Sequence, residues 1–286
     1  MEAIRVAARR RGIVESVHRV HAVAVKDGVV VEAAGDPSFV TVMRSAAKPL
    51  QAMPLARARD DLEPLDLAIA SASHLASGPQ LEAVRALLAK ANATEDDLEC
   101  GPFDGSKLKH NCSGKHAGML ALCRAKGWPL AGYSTADHPC QQTMLAEVAH
   151  AARVSASEVA TAVDGCGVVT FALPLRSVAT AFAQLDEPVA RAMRAHPELI
   201  RGPGAPDSEL MRTHTGWTAK GGAEGVFCAV GPDALAIALK VEDGMGRAVA
   251  PALGAFLDRL GLDLGPFGPT ELRNSRDDVV GELVAM

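Results

Sequence analysis

The sequence predicts an α+β fold: strands from both ends of the chain form an antiparallel sheet flanked by helices, and a helical lobe is inserted between them. Three observations predict it. First, the β-branched runs Val23-Ala24-Val25 and Val29-Val30-Val31 flank Lys26-Asp27-Gly28, a hairpin signal near the N-terminus. Second, from about residue 45 to 150 apolar residues recur at helical spacing, as in Leu81, Val84, Leu87 and Leu88 and in Met119, Leu122 and Cys123. Third, strand character returns at Val168-Val169-Thr170-Phe171-Ala172-Leu173 and in the pair Val226 to Val230 and Leu235 to Val241, joined by Gly231-Pro232-Asp233-Ala234. A helix from about Gly246 to Leu260, with Val249, Leu253, Phe256, Leu257 and Leu260 on one face, closes the pattern. We expect residues 1–286 to form a single compact unit with two lobes. The sheet lobe spans about 1–44 and 164–286, the helical lobe about 45–163, and a cleft lies where they meet.

Composition narrows the function classes. With 286 residues and 48% hydrophobic composition the chain is long enough for a sizeable core. Lys and Arg total 29 against 34 Asp and Glu, and no basic run tracks a phosphate backbone, so nucleic acid is not an expected partner. Aromatics make up 3%, too few for a base-stacking platform. No apolar stretch is long enough to span a membrane, and the first residues do not read as a secretory signal. A cytoplasmic location is expected. The six cysteines then read as thiols rather than as a disulfide framework.

Several segments carry groups suited to chemistry. Arg44-Ser45-Ala46-Ala47-Lys48-Pro49 holds Ser-x-x-Lys at a helix start, where Ser45 and Lys48 share a face. Pro49 is tolerated only near such a start. A serine hydroxyl becomes a useful nucleophile when a base takes its proton, and a lysine is that base only if burial lowers its pKa. On spacing alone the motif is common on solvated helix faces. Ser73-His74-Leu75-Ala76-Ser77-Gly78 reads as a polar loop or a helix cap. Lys240 ends a strand face otherwise lined by Ala236 and Ala238, with room for a ligand beside it, or else guards a sheet edge. Thr218-Ala219-Lys220-Gly221-Gly222 lacks phosphate-loop spacing and is a place for backbone to approach a substrate. Cys112 and Cys166 sit in polar, glycine-bearing segments, but their spacing alone does not indicate zinc.

Together these segments, from Arg44 to Asp243, resemble the rhizobial-type (class 3) L-asparaginase family, which is similar in fold to serine β-lactamases and serine glutaminases. The resemblance implies hydrolysis of the side-chain amide of asparagine through two facing Ser-Lys pairs beside a zinc ion. Carried over by position, Ser45 and Lys48 match one pair, Ser77 and Lys240 the other, and Cys112, Lys115 and Cys166 the metal ligands. Arg44 or Lys240 is expected to hold the substrate carboxylate and Asp164 its ammonium, with His74 also lining the site. A homodimer acting on a small amino acid is the expected assembly. The rival readings are a serine glutaminase, another Ser-x-x-Lys hydrolase such as a β-lactamase or peptidase, and a non-enzymatic zinc-stapled binding protein. Neither Ser-Asp-Asn nor Lys-Thr-Gly occurs in the chain, which counts against a β-lactamase.

Overall fold

The computed structural model describes residues 1–263 and 265–286. The chain opens with strands β1 (Ile4–Arg10), β2 (Ile13–Lys26), β3 (Val29–Ala34) and the short β4 (Val40–Val42). Asp27 and Gly28, with φ of 52° and 80°, turn β2 into β3 as the Asp-Gly pair predicts for a tight hairpin. A helical stretch follows: α1 (Lys48–Ala58), α2 (Pro64–Ala70), α3 (Gly78–Lys90), α4 (Ser113–Lys126) and α5 (Pro139–Ala152). Strands β5 (Ala160–Val163) and β6 (Val169–Pro174) lead to helices α6 (Leu175–Phe182), α7 (Glu187–Ala195), α8 (Pro197–Ile200) and α9 (Pro206–Thr213). Then come β7 (Thr218–Gly222), β8 (Val226–Val230), β9 (Ala236–Val241), α10 (Val249–Arg259), β10 (Thr270–Arg273) and β11 (Val279–Ala285).

The main sheet runs β10-β11-β1-β2-β9-β8-β7, with β3 also paired to β2, and all these pairs are antiparallel. The pairing of first strands with last ones is therefore as expected from the sequence. Long β2 makes this possible. One edge pairs with β1 and then β3, while residues 20 to 25 pair on the other edge with β9, Val20 opposite Val241. On β9 every residue is buried, as befits a strand covered on both faces.

Two expectations need correction. The strand read at Val168 to Leu173 lies in a separate three-stranded sheet, β4-β6-β5, and not in the main one. The sequence also leads us to expect no helix between Leu173 and Val226, where α6 to α9 fall between β6 and β7. Of these, α6 packs on β2, β8 and β9. Its Leu175, Val178, Ala179 and Phe182 recur at i, i+3, i+4 and i+7 and are all buried, so this stripe was present in the sequence but is only two turns long.

Packing between helices fixes where the site lies. At the start of α4, Gly114 rests against the end of α2 so closely that a Cβ there would sit 2.2 Å from the Ile69 carbonyl oxygen. Both partners are backbone, so neither yields as a side-chain tip does. We expect Gly114→Ala to cost about 1–3 kcal/mol, the range for overpacking a tight core. Urea unfolding of the two proteins measures it, and an unchanged midpoint would show that α4 can move away.

Candidate active site

Where the main sheet ends at β7, a short 3₁₀ turn, Arg44–Ala47, abuts the strand and leads into α1. The Lys48 amide donates to the Ser45 carbonyl, an i to i+3 bond. In such a turn side chains three apart eclipse, so Ser45 and Lys48 project on one side. Gly222 of β7 makes the approach possible. A Cβ on it would lie 2.9 Å from the Met43 carbonyl oxygen and 3.2 Å from the Ala46 nitrogen.

Lys48 is fully buried. Its amine donates to the Ala72 carbonyl at 2.5 Å and to Ser73 Oγ at 3.0 Å, with the Asn111 carbonyl at 3.5 Å. Burial is the largest influence on its pKa and lowers it, against the neighbouring Cys112 and Cys166, which favour the cation. Desolvating an ammonium costs several kcal/mol, so the neutral amine gains on the cation. Ser45 is half-buried and its hydroxyl is uncommitted among the described residues.

A second buried lysine lies within electrostatic reach of the first. Lys220 of β7 donates to the Gly221 carbonyl at 2.7 Å and lies 3.4 Å from Asp207 Oδ2 at the start of α9. Burial pulls its pKa down to about 8, Asp207 holds it up, and Lys48 and Arg201 push it down further. Asp207 is itself buried and accepts from the Gly221 and Ser208 amides. Among side chains Lys48 thus hydrogen-bonds to Ser73, and its charge is felt by Lys220.

The structure does not bring Ser77 and Lys240 together. Ser77 is exposed at the N-cap of α3, and its amide donates to Gln80 Oε1 at 3.1 Å, which is the helix-cap alternative for that loop. Lys240 Nζ donates to the carbonyls of Glu224 and Val241 beside a groove that also includes Arg44 and Thr170. Arg44 and Asp164 do not stand free either. They form an ion pair with Nε–Oδ1 at 2.7 Å. His74 is buried, bonded to Ser113 Oγ through Nε2 at 2.8 Å and to the Ala76 amide through Nδ1 at 3.2 Å. Burial lowers its pKa to about 4, so it stays neutral and fixes the loop that carries Ser73.

Cys112, Lys115 and Cys166 do converge. Lys115 Nζ lies 3.0 Å from Cys166 Sγ. A hydrogen bond with Cys166 holds the Cys112 thiol well below the ordinary thiol range, while the same contact and burial push Cys166 up. Burial works against the Lys115 ammonium, but the two sulfurs outweigh it and raise its pKa. Two sulfurs and an amine gathered from the start of α4 and the loop between β5 and β6 suit a thiophilic divalent cation. Among the described residues no group of three or more His, Cys, Asp and Glu side chains is placed to hold a metal. A metal here depends on Lys115.

Sequence reasoning missed Ser73, Lys220, Asp207 and Arg201. Ser73 stands four residues from Ser77 in a loop already singled out, and Lys220 stands before the glycine pair already noted as a close approach.

Fold and site define a class: an α+β protein whose helices meet the edge strand of an antiparallel sheet at an enclosed cluster of amines and hydroxyls. The family model for L-asparaginase II matches residues 6–285, and the chain belongs to that family. This bears out the family resemblance seen in the sequence. No curated protein matches the chain. Among solved structures, the crystal structure of a beta-lactamase from Mycobacterium bovis is similar at 17% identity over 85% of this chain and 95% of that one, with a TM-score of 0.45. Among the described residues, no helix is long and apolar enough to cross a membrane.

Two outcomes follow for this site. A Gly222→Ala side chain would displace the Ser45 turn, so turnover should fall on the order of tenfold to a hundredfold while the protein stays folded. Steady-state kinetics beside a thermal melt separate the two. Lys220, followed by NMR of labelled lysine, should titrate near 8, and Asp207→Asn should move the midpoint lower because it removes the charge that favours the ammonium. The native state then loses this proton near 8 while the unfolded chain keeps it to about 10.5. Across that window the unfolded state binds more protons, so this lysine makes stability rise with pH; below about 8 both states are protonated and its penalty is constant.

Proposed function

We propose that this protein is an L-asparaginase that hydrolyses the side-chain amide of L-asparagine to L-aspartate and ammonia through an acyl-enzyme on Ser45. Family membership supports an amidohydrolase of the asparaginase type. The observation that carries the finer reading is the fully buried Lys48, hydrogen-bonded to Ser73 and three residues on from Ser45 in the same turn. An exposed Lys48 on a helix face would have favoured the non-enzymatic alternative.

In this reading neutral Lys48 takes the Ser45 proton, directly or across Ser73, as Oγ bonds to the amide carbon. The proton then passes to the amide nitrogen, the C–N bond breaks and ammonia leaves. Water, deprotonated by the same amine, attacks the ester and returns Ser45 with its proton. Backbone amides of the Ser45 turn and of the abutting strand are the donors closest to the developing oxyanion. Lys220, which feels the charge of Lys48, tunes when the site carries one ammonium or two.

Cys112, Lys115 and Cys166 are the residues that would hold zinc. Zinc there would supply a fixed positive charge and a link between α4 and the hairpin loop before β6. A reducing, cytoplasmic setting suits six cysteines that are all buried and unpaired. The homodimer rests on the family resemblance alone.

Ammonia release from asparagine, glutamine and a β-lactam tests the substrate. Ser45→Ala and Lys48→Met should each lower kcat by at least about a hundredfold, the scale of losing nucleophilic or general-base catalysis. Since Lys48 bonds to Ser73, a specific second reading makes Ser73 the nucleophile. Full activity in Ser45→Ala with loss in Ser73→Ala would establish that order. Metal analysis of protein purified without chelator should find about one zinc per chain, lost in Cys166→Ala; fully active, zinc-free protein would remove the metal from the reading.

A further inference from the structure

We infer that Arg201 is the anchor for the α-carboxylate of the substrate, an assignment that rests on the asparaginase reading. The two groups expected from the sequence are committed elsewhere, Arg44 to Asp164 and Lys240 to backbone carbonyls. Arg201 is not. It is half-buried, and among the described residues its guanidinium makes no hydrogen bond or ion pair, although its carbonyl accepts from Gln80 Nε2 at 3.0 Å. A guanidinium carries a rigid fork of donors suited to one carboxylate, and leaving it unused in a sheltered place is costly.

Its surroundings are a cavity of about 280 Å³ bounded by Arg201, Asp207, Gly221, Gly222 and Phe227. Two connections join this cavity to the reacting groups. Gly222, in its wall, abuts the Ser45 turn. Ile200, next to Arg201, accepts from the Ser73 amide at 2.7 Å. Gln80 then fastens the end of α8 to the Ser73 loop by donating to the carbonyls of Glu198, Leu199 and Arg201 while accepting from the Leu75 and Ser77 amides. The main chain that carries Arg201 is thus tied to the loop that carries Ser73. A Cβ on Gly221 would meet Asp207 Oδ2 at 3.3 Å and an Arg201 terminal nitrogen at 3.9 Å, so both side chains face this strand across the cavity.

Charge balance points the same way. Lys48 and Arg201 both act on Lys220, and Asp207 is the carboxylate that offsets Lys220 and Arg201 there. The oxygens of Asp207 already accept from the Gly221 and Ser208 amides and from Lys220. A substrate that brings a carboxylate supplies the missing negative charge, and the amide at its other end then lies toward the Ser45 turn. An amide without an α-carboxylate gains nothing from this site.

The test is equilibrium binding of L-aspartate, the product, to Ser45→Ala protein with and without Arg201→Gln, by calorimetry. Loss of a charge-assisted carboxylate contact should weaken aspartate binding at least about tenfold, with partial retention in Arg201→Lys. β-Alaninamide, which is asparagine without its α-carboxylate, should bind both proteins alike. A melt confirms that Arg201→Gln is folded, and Arg201→Lys serves if it is not. Equal aspartate binding by the two proteins, or none by either, overturns the assignment. Wild-type protein that releases no ammonia from asparagine, yet binds aspartate in an Arg201-dependent way, would refute the asparaginase reading and leave this carboxylate site standing.

Discussion

The burial of one amine organises the rest of the site. Lys48 stands where α1 begins, yet its nitrogen bonds to the loop after α2 and reaches the segment before α4. Those contacts hold three stretches far apart in sequence around a group that water would otherwise solvate. An unsatisfied buried amine is expensive, so the Ala72 carbonyl and Ser73 hydroxyl are structural requirements as well as chemical neighbours. The same burial removes the incentive to stay charged, which is what a lysine needs to accept a proton.

Around that amine, close backbone approach substitutes for large side chains. Aromatics are only 3% of the chain, and much of the buried core is Ala, Val and Leu. Gly114 lets α4 touch α2, and Gly222 lets the edge strand touch the Ser45 turn. These contacts bring Cys112 and Lys115 on one side, and Lys220 on the other, within electrostatic reach of Lys48. Positive groups therefore accumulate in a dry region. Asp207 and the sulfurs balance part of the excess, and the part left over is what an anionic substrate meets.

The second Ser-Lys pair shows where reading a sequence for contacts breaks down. Ser77 and Lys240 are the residues that the resemblance carries over, whereas Ser73 bonds to Lys48 and Lys220 lies within its electrostatic reach. Along the chain the two serines are equivalent hydroxyls in one loop. What separates them is that Ser77 begins a helix and spends its backbone on a cap, while Ser73 lies inward, its amide bonded to Ile200. The lysines differ in the same manner. Lys240 sits on an interior strand and its amine turns to nearby carbonyls, but Lys220 sits on the edge strand that the 3₁₀ turn abuts.

By itself the sequence determined the α+β class, the Asp-Gly hairpin, the pairing of first strands with last, the Ser-x-x-Lys turn and the family, because each rests on local periodicity, turn chemistry or motif. It also supplied Cys112, Lys115 and Cys166, through a resemblance that matched residue by residue. Only the tertiary structure decided that Lys48 is buried, that these three residues converge, that Arg44 is already paired with Asp164, and that the Arg201 guanidinium has no hydrogen bond or ion pair among the described residues. Each of those depends on which groups are left near one another after water is excluded. That is settled by the packing of α4 on α2, the abutment of the turn on β7 and the fastening of α8 to the Ser73 loop, none of which has a period or a motif along the chain.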